Sequence, residues 1–140
     1  MTITMVLFLA RIAFDVIDHQ ILTKKLKIYN FAEVTISFIE NYLSERKQIV
    51  QIASKLSTPE VVGSQGVPQG SVLGPLLFLI YMNDYPDHSD NGEDVLYADD
   101  STGVVSAKDL DTLEIKIQQH ADSATEWISD NKMICSSEKN

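Results

Sequence analysis

Two acidic side chains stand next to each other in Tyr97-Ala98-Asp99-Asp100. They fall between two apolar segments, Asp94–Ala98 and Thr102–Ser106, which read as short strands joined by a turn over Asp99–Ser101. A hairpin tip is exposed and held by a rigid scaffold. Adjacent carboxylates repel, so the arrangement invites a divalent cation. A plain turn accounts for the same tetrapeptide, because aspartate is a common turn residue. On these four residues alone both readings stand.

A second stretch can also do chemistry. Gly66-Val67-Pro68-Gln69-Gly70-Ser71-Val72-Leu73-Gly74-Pro75 is a glycine- and proline-rich loop that opens a helix. Such loops let backbone approach a ligand, and the free amides of a helix N-terminus attract phosphate. The plainer reading is a connection between two elements.

The elements that would position these residues follow from periodicity and caps. Met5–Phe8 and the residues just after it read as a buried strand. Asp18 can cap a helix by accepting from free first-turn amides. Ile21, Leu22, Lys25, Leu26 and Tyr29 follow at helical spacing, with the lysines mainly on the other side. Asn30 can end that helix, since asparagine tolerates the left-handed conformation. A second helix is predicted over Glu33–Leu43, with Phe38, Ile39, Tyr42 and Leu43 inward. Lys47–Ile52 suits a strand, and Val61–Val62 its partner.

A buried helix is predicted from Ser71 to Asn83, with Pro75 in its first turn, where no amide hydrogen is needed. Asp84–Glu93 reads as a polar loop. Ser106 with Asp109 resembles a capping box. Leu110, Leu113, Ile117, Ala121, Ala124, Trp127 and Ile128 then mark a long amphipathic helix. The expectation is one α+β domain over residues 1–140 with no internal boundary.

Composition narrows the function classes. The 140 residues are 44% apolar and 22% charged, values of an ordinary globular chain with a core. The net charge of −9 opposes phosphate binding, so little autonomous nucleic-acid binding is expected. Cys135 is the only cysteine, which excludes an internal disulfide and fits an intracellular location. Met1–Phe14 lacks a basic n-region and is interrupted by Arg11, unlike a signal peptide. Val72–Met82 falls well short of the roughly 20 residues of a membrane span, so no membrane segment is expected.

The decapeptide from Gly66 to Pro75, followed by Leu76-Leu77-Phe78-Leu79-Ile80-Tyr81-Met82-Asn83-Asp84, resembles a motif of reverse transcriptases of jockey-like or chicken-repeat-like non-LTR retrotransposons. The Tyr-Ala-Asp-Asp box lies downstream at that family's spacing. Ala13-Phe14-Asp15-Val16-Ile17-Asp18-His19 resembles the end of the family's first motif. Tyr42-Leu43-Ser44-Glu45-Arg46-Lys47-Gln48 resembles its connector. Trp127 to Met133, with Glu138 and Lys139, resembles its fourth motif. The resemblance runs from about Phe8 to the last residue.

This resemblance implies a palm subdomain: an antiparallel sheet with a Tyr-Ala-Asp-Asp hairpin and packed helices, fingers and thumb missing. It implies RNA-directed DNA synthesis by a two-metal displacement using Mg2+ or Mn2+, with an RNA template, a DNA primer and deoxynucleoside triphosphates as partners. Asp99 and Asp100 would be the catalytic metal ligands. Gln69 and Gly70 would line the nucleotide. Phe14 would lie under its sugar, and Lys139 would assist pyrophosphate departure.

One departure bears on activity. The family's first motif reads Asp-x-x-x-Ala-Phe-Asp, and its aspartate position holds Leu9 here. Leucine offers a magnesium ion no oxygen. Asp15 cannot substitute, because six extended residues cover roughly 20 Å. Asn30 stands where the family usually has glycine, and Ser136 where it has asparagine. The expectation is therefore an inactive polymerase segment. A remnant that acts only by binding is the alternative, and a palm without fingers and thumb should self-associate. A metal-dependent nuclease or phosphatase would need more ligands near the hairpin, and His19, His88 and His120 show no ligand spacing.

Overall fold

A computed structural model of the chain describes residues 2–11, 16–68, 70–98 and 100–133. The elements run β1 (Ile3–Arg11), α1 (His19–Ile28), α2 (Glu33–Leu43), β2 (Lys47–Gln48), β3 (Gln51–Ile52), β4 (Lys55–Leu56), β5 (Glu60–Val61), α3 (Leu73–Met82), a 3-10 turn (Tyr85–His88), β6 (Glu93–Tyr97), β7 (Asp100–Ala107) and α4 (Leu110–Asp130). The mixture of helices with antiparallel sheet is the α+β class expected. The described residues divide into two compact units, one of 1–16 with 81–140 and one of 17–80.

The first unit is built on a three-stranded antiparallel sheet in the order β1–β7–β6. β7 alternates: Ser101, Gly103, Val105 and Ala107 are buried, and the residues between them are more exposed. α4 covers the buried face. Its Leu113 joins Val105 and Ala107 in a cluster, with Ile3, Leu7 and Ile117 packed against it. Fully burying one such aliphatic side chain contributes about 1.5–3 kcal/mol.

β1 is not buried on both sides as its apolar sequence suggested. Val6 and Phe8 lie opposite Val104 and Thr102, on the face away from α4, and are 66% and 67% exposed. The start of α4 also differs from expectation. The cap is Asp109, whose carboxylate accepts from the Thr112 amide at 2.8 Å; Ser106 lies inside β7. Its hydroxyl pairs instead with Thr4 across the strands.

The second unit packs α1 against α2. Asp18 caps α1 as predicted, accepting from the amides of Gln20 at 2.9 Å and Ile21 at 3.0 Å. Asn30 follows with φ +59°, the left-handed stop expected of it. Leu22 and Leu26 are buried from α1, and Ile36, Ile39 and Leu43 from α2. Lys25 is buried in the stripe with Leu22 and Leu26. One detail is corrected: Phe38 is exposed, stacking on Tyr42 at 6.4 Å. The inward stripe of α2 runs through Ile36, Ile39 and Leu43, so Phe38 falls beside it.

Lys47–Ile52 is not one strand. Its first half pairs with Glu60–Val61, and its second half folds back on Lys55–Leu56 as a separate two-residue pairing. All these positions are exposed, so no buried face locks a longer register. α3 is likewise buried on one side only: Leu77 and Phe78 are covered, while Leu76 and Leu79 are exposed. Among the described residues, no helix is long and apolar enough to cross a membrane.

Candidate active site

β6 and β7 pair antiparallel, ending with Tyr97 opposite Asp100. Ala98 takes φ +53°, a left-handed conformation that tight turns demand. Asp100 opens β7, the central strand, and so has a backbone neighbour on each side: Tyr97 in β6 and Arg11 in β1. Asp99 lies outside the described residues.

Register places Asp100 on the sheet face away from α4. That face carries Thr4, Val6 and Phe8 from β1, with Glu93, Val95 and Tyr97 from β6. Phe8, Val95 and Tyr97 are 67%, 57% and 81% exposed, so solvent reaches the surface around the carboxylate. Leu9 lies in β1, at a register irregularity between Phe8, opposite Thr102, and Ala10, opposite Ser101. Beneath the hairpin, the fully buried Ser101 donates its hydroxyl to the Tyr85 oxygen at 2.8 Å. This bond fixes the root of β7 to the 3-10 turn.

The glycine loop belongs to the second unit, where its start is pinned. The Gly66 amide donates to the Ile17 carbonyl at 2.8 Å. The Gly66 carbonyl contacts His19 Nε2 at 2.7 Å and accepts from Arg46 at 3.2 Å. His19 thus anchors a loop. At the far end, Ser71 donates to the Pro68 carbonyl at 2.7 Å and accepts from the Gly74 amide at 2.9 Å, closing the entrance of α3. A Cβ on Gly74 would lie 3.0 Å from both of those oxygens, so any side chain there must push the loop or the Ser71 hydroxyl aside. Gly70 is exposed with φ +78° and open space around it. Its backbone is accessible to solvent.

Gln69, Phe14 and Lys139, the other residues expected to touch nucleotide or pyrophosphate, lie outside the described residues. Asp100 and β1 are therefore brought together within one unit, and Gly70 stands in the other.

A cluster that spacing did not reveal lies behind the hairpin. His88 of the 3-10 turn, Asp94 of β6 and His120 of α4 converge, with one ligand atom from each all within 4.8 Å. Oδ2 of Asp94 is 3.3 Å from His88 Nδ1, and Oδ1 is 3.4 Å from His120 Nε2. The three side chains are at most 1% exposed. Burial raises the Asp94 carboxyl above its ordinary 3.8, and the two imidazoles pull the other way.

The expectation that the histidines share no ligand arrangement is corrected for His88 and His120. The ligands sit on three elements, so no sequence period joins them. One signal was available: His120 falls on the buried stripe of α4 with Leu113, Ala124 and Ile128.

Comparison with known proteins agrees with this geometry. The reverse transcriptase (RNA-dependent DNA polymerase) family matches residues 4–140. The RNA-directed DNA polymerase from mobile element jockey of Drosophila melanogaster is 31% identical over 134 residues, covering 91% of this chain and 14% of that protein. The probable RNA-directed DNA polymerase from transposon X-element, from the same fly, is 36% identical over 121 residues, 84% of this chain and 13% of its own length. That from transposon BS is 39% identical over 74 residues, 53% of this chain and 8% of its own. The chain thus spans a small part of each relative. It belongs to the reverse transcriptase family, among the polymerases of non-LTR retrotransposons.

Proposed function

We propose that this chain is the palm segment of a non-LTR retrotransposon reverse transcriptase in which the polymerising centre has lost its first carboxylate. One observation carries the reading. β1, which holds the first-motif stretch, pairs with β7, which begins at Asp100, and the face they share is open to solvent.

The chemistry of the donor set decides activity. In the two-metal scheme, carboxylates from two strands hold ions that activate the primer 3′-hydroxyl and stabilise the leaving pyrophosphate. Asp99 and Asp100 would hold Mg2+ or Mn2+ on the hairpin side. On the β1 side Leu9 supplies hydrocarbon, and a hard cation needs oxygen. The residues present therefore do not fit the ion pair, and the segment does not transfer nucleotides. Phe14, Gln69 and Gly70 keep the residue types that would seat a deoxynucleoside triphosphate, and Lys139 that which would meet the pyrophosphate. A net charge of −9 leaves RNA template and DNA primer weakly held. The substrates of such a polymerase place its work inside the cell.

A primer-extension assay on a primed RNA template, with magnesium or manganese, tests the reading. No extension is expected from the purified chain. Extension that vanishes on Asp99→Ala would overturn it.

The open sheet face favours a second reading, a remnant that acts by binding, with a second copy of the chain as occupant. Val6, Phe8, Val95 and Tyr97 form an apolar surface of the kind that associates. Sedimentation should show concentration-dependent dimers that Phe8→Lys disperses; a monomer at all concentrations removes this reading.

A further inference from the structure

We propose that His88, Asp94 and His120 form a structural site for a divalent transition-metal ion of the zinc class, tying the 3-10 turn, β6 and α4 together behind the hairpin. The site is separate from the carboxylates at the hairpin tip and does not rest on the polymerase reading.

The first support is unsatisfied polarity. Both carboxylate oxygens of Asp94 and both ring nitrogens of His120 are buried with no hydrogen-bond partner. Buried polar groups in proteins are almost always partnered, so a group left this way calls for an explanation, an ion among them. Here the atoms that lack partners face one another.

The second support is spacing. Bonds of about 2.0–2.1 Å to a tetrahedral zinc place neighbouring ligand atoms roughly 3.3–3.4 Å apart. The two nitrogen–oxygen separations are 3.3 Å and 3.4 Å. Each Asp94 oxygen faces a different imidazole; the ligand atoms together lie within 4.8 Å, so a cation held by the carboxylate meets both nitrogens once the imidazoles close on it. The rings already lie close, with centroids 4.7 Å apart and tilted by 40°.

Ligand chemistry sets the class of ion. Imidazole nitrogen suits zinc, cobalt, nickel or iron, whereas magnesium prefers oxygen throughout. The surroundings also supply an outer shell. His88 Nε2 lies 3.3 Å from the His120 carbonyl, which can accept a hydrogen bond from Nε2–H and leave Nδ1 as the ligand once it turns from the Tyr85 carbonyl. Without metal, Nδ1 faces the Tyr85 carbonyl at 2.7 Å and carries the proton instead. Metal binding would therefore exchange the His88 tautomer. Tyr85 holds the turn in place by stacking on His88 at 4.8 Å and meeting Trp127 edge-on at 4.9 Å.

The rival account is a metal-free cluster in which protonated imidazoles pair with the carboxylate. Cobalt separates the two. The full chain, stripped with chelator and shown folded by circular dichroism, is titrated with Co2+ in place of Zn2+. We expect one equivalent to bind with the intense visible bands of four-coordinate cobalt, displaced by Zn2+ and not by Mg2+. His88→Gln and His120→Gln should each weaken binding by more than roughly 100-fold, since even outer-shell losses cost about 10–100-fold. No uptake by the folded parent would overturn the proposal. So would weakly absorbing six-coordinate cobalt alone, the signature of oxygen ligands at the hairpin tip.

Discussion

Gly92 precedes β6 at the point where the loop from the 3-10 turn enters the sheet, and replacing it with alanine tests the packing behind the hairpin. An added Cβ would lie 2.9 Å from Val105 Cγ2, 3.0 Å from the Val104 carbonyl oxygen and 3.1 Å from His120 Cε1. None of the three yields easily. Val105 is fully buried and stiff at χ1, Val104 offers backbone in the central strand, and His120 is fully buried. Overpacking of this kind costs about 1–3 kcal/mol. Against it, alanine lowers the entropy of the unfolded chain, a gain of about 0.4–1 kcal/mol. The net expectation is a loss of about 1–2 kcal/mol, which at this chain length lowers Tm by roughly 4–8 °C. Urea unfolding followed by circular dichroism measures it, with an unchanged slope expected. Gly63→Ala is the control: its Cβ meets nothing within 4 Å, so that variant should match or slightly exceed the parent. A Gly92→Ala protein as stable as the Gly63→Ala protein would refute the close approach of the loop to β7 and α4.

Three further outcomes follow. Leu9→Asp should destabilise the chain in chelator by roughly 1–3 kcal/mol, from a carboxylate added beside acidic residues of a neighbouring strand. It should regain about 2.7 kcal/mol in manganese at a hundredfold excess over Kd; an equal manganese gain in the parent, read by thermal melts, would show that Leu9 does not face the carboxylate pair. Asp18→Ala removes the acceptor for two amides at the start of α1 and should cost about 1 kcal/mol by chemical denaturation. The hydrogen bonds from Thr112 hold Asp109 below its ordinary 3.8. Its contribution is thus present above that value and lost as pH falls through the lower folded value. The stability advantage of the parent over Asp109→Asn should be constant near neutrality and shrink as pH falls below 3.8 and through the lower folded value; an advantage undiminished in strong acid contradicts the cap.

Local signals in the sequence were legible where a residue's role depends on its near neighbours. Asp18, Asn30 and the Glu33–Leu43 helix could be read because caps and helical stripes act over one turn. The two strands around Tyr97–Asp100 could be read from apolar segments meeting at acidic residues. What the sequence hid depends on which face receives a covering element. Phe8 and Val105 look alike as apolar strand residues, yet α4 covers only the side of Val105. Lys47–Ile52 has strand composition, but with both faces exposed its register is settled by short local pairings. Asp84–Glu93 looked like a polar loop because its polar residues dominate; Tyr85 and His88 turn inward through partners in β7 and α4. Of the candidate catalytic set, motif spacing singled out Asp100 and Gly70 as expectations from neighbours in sequence, whereas nothing in spacing could join His88 to His120 across 32 residues.

The alanine at the tip of the hairpin has a consequence for how sharply the turn is defined. At φ +53° a Cβ crowds the following carbonyl, a penalty of roughly 1–2 kcal/mol that glycine escapes. Glycine would instead bring extra freedom to the unfolded chain, worth roughly 0.5–1 kcal/mol against it. The first outweighs the second, so glycine at position 98 would fold more favourably than alanine by up to about 1 kcal/mol. They would differ in the width of the conformational ensemble: glycine explores mirror-image wells on both sides of φ = 0, whereas alanine, once placed, is confined to one narrow basin. Ala98 therefore trades torsional breadth for directional constancy where the chain enters β7.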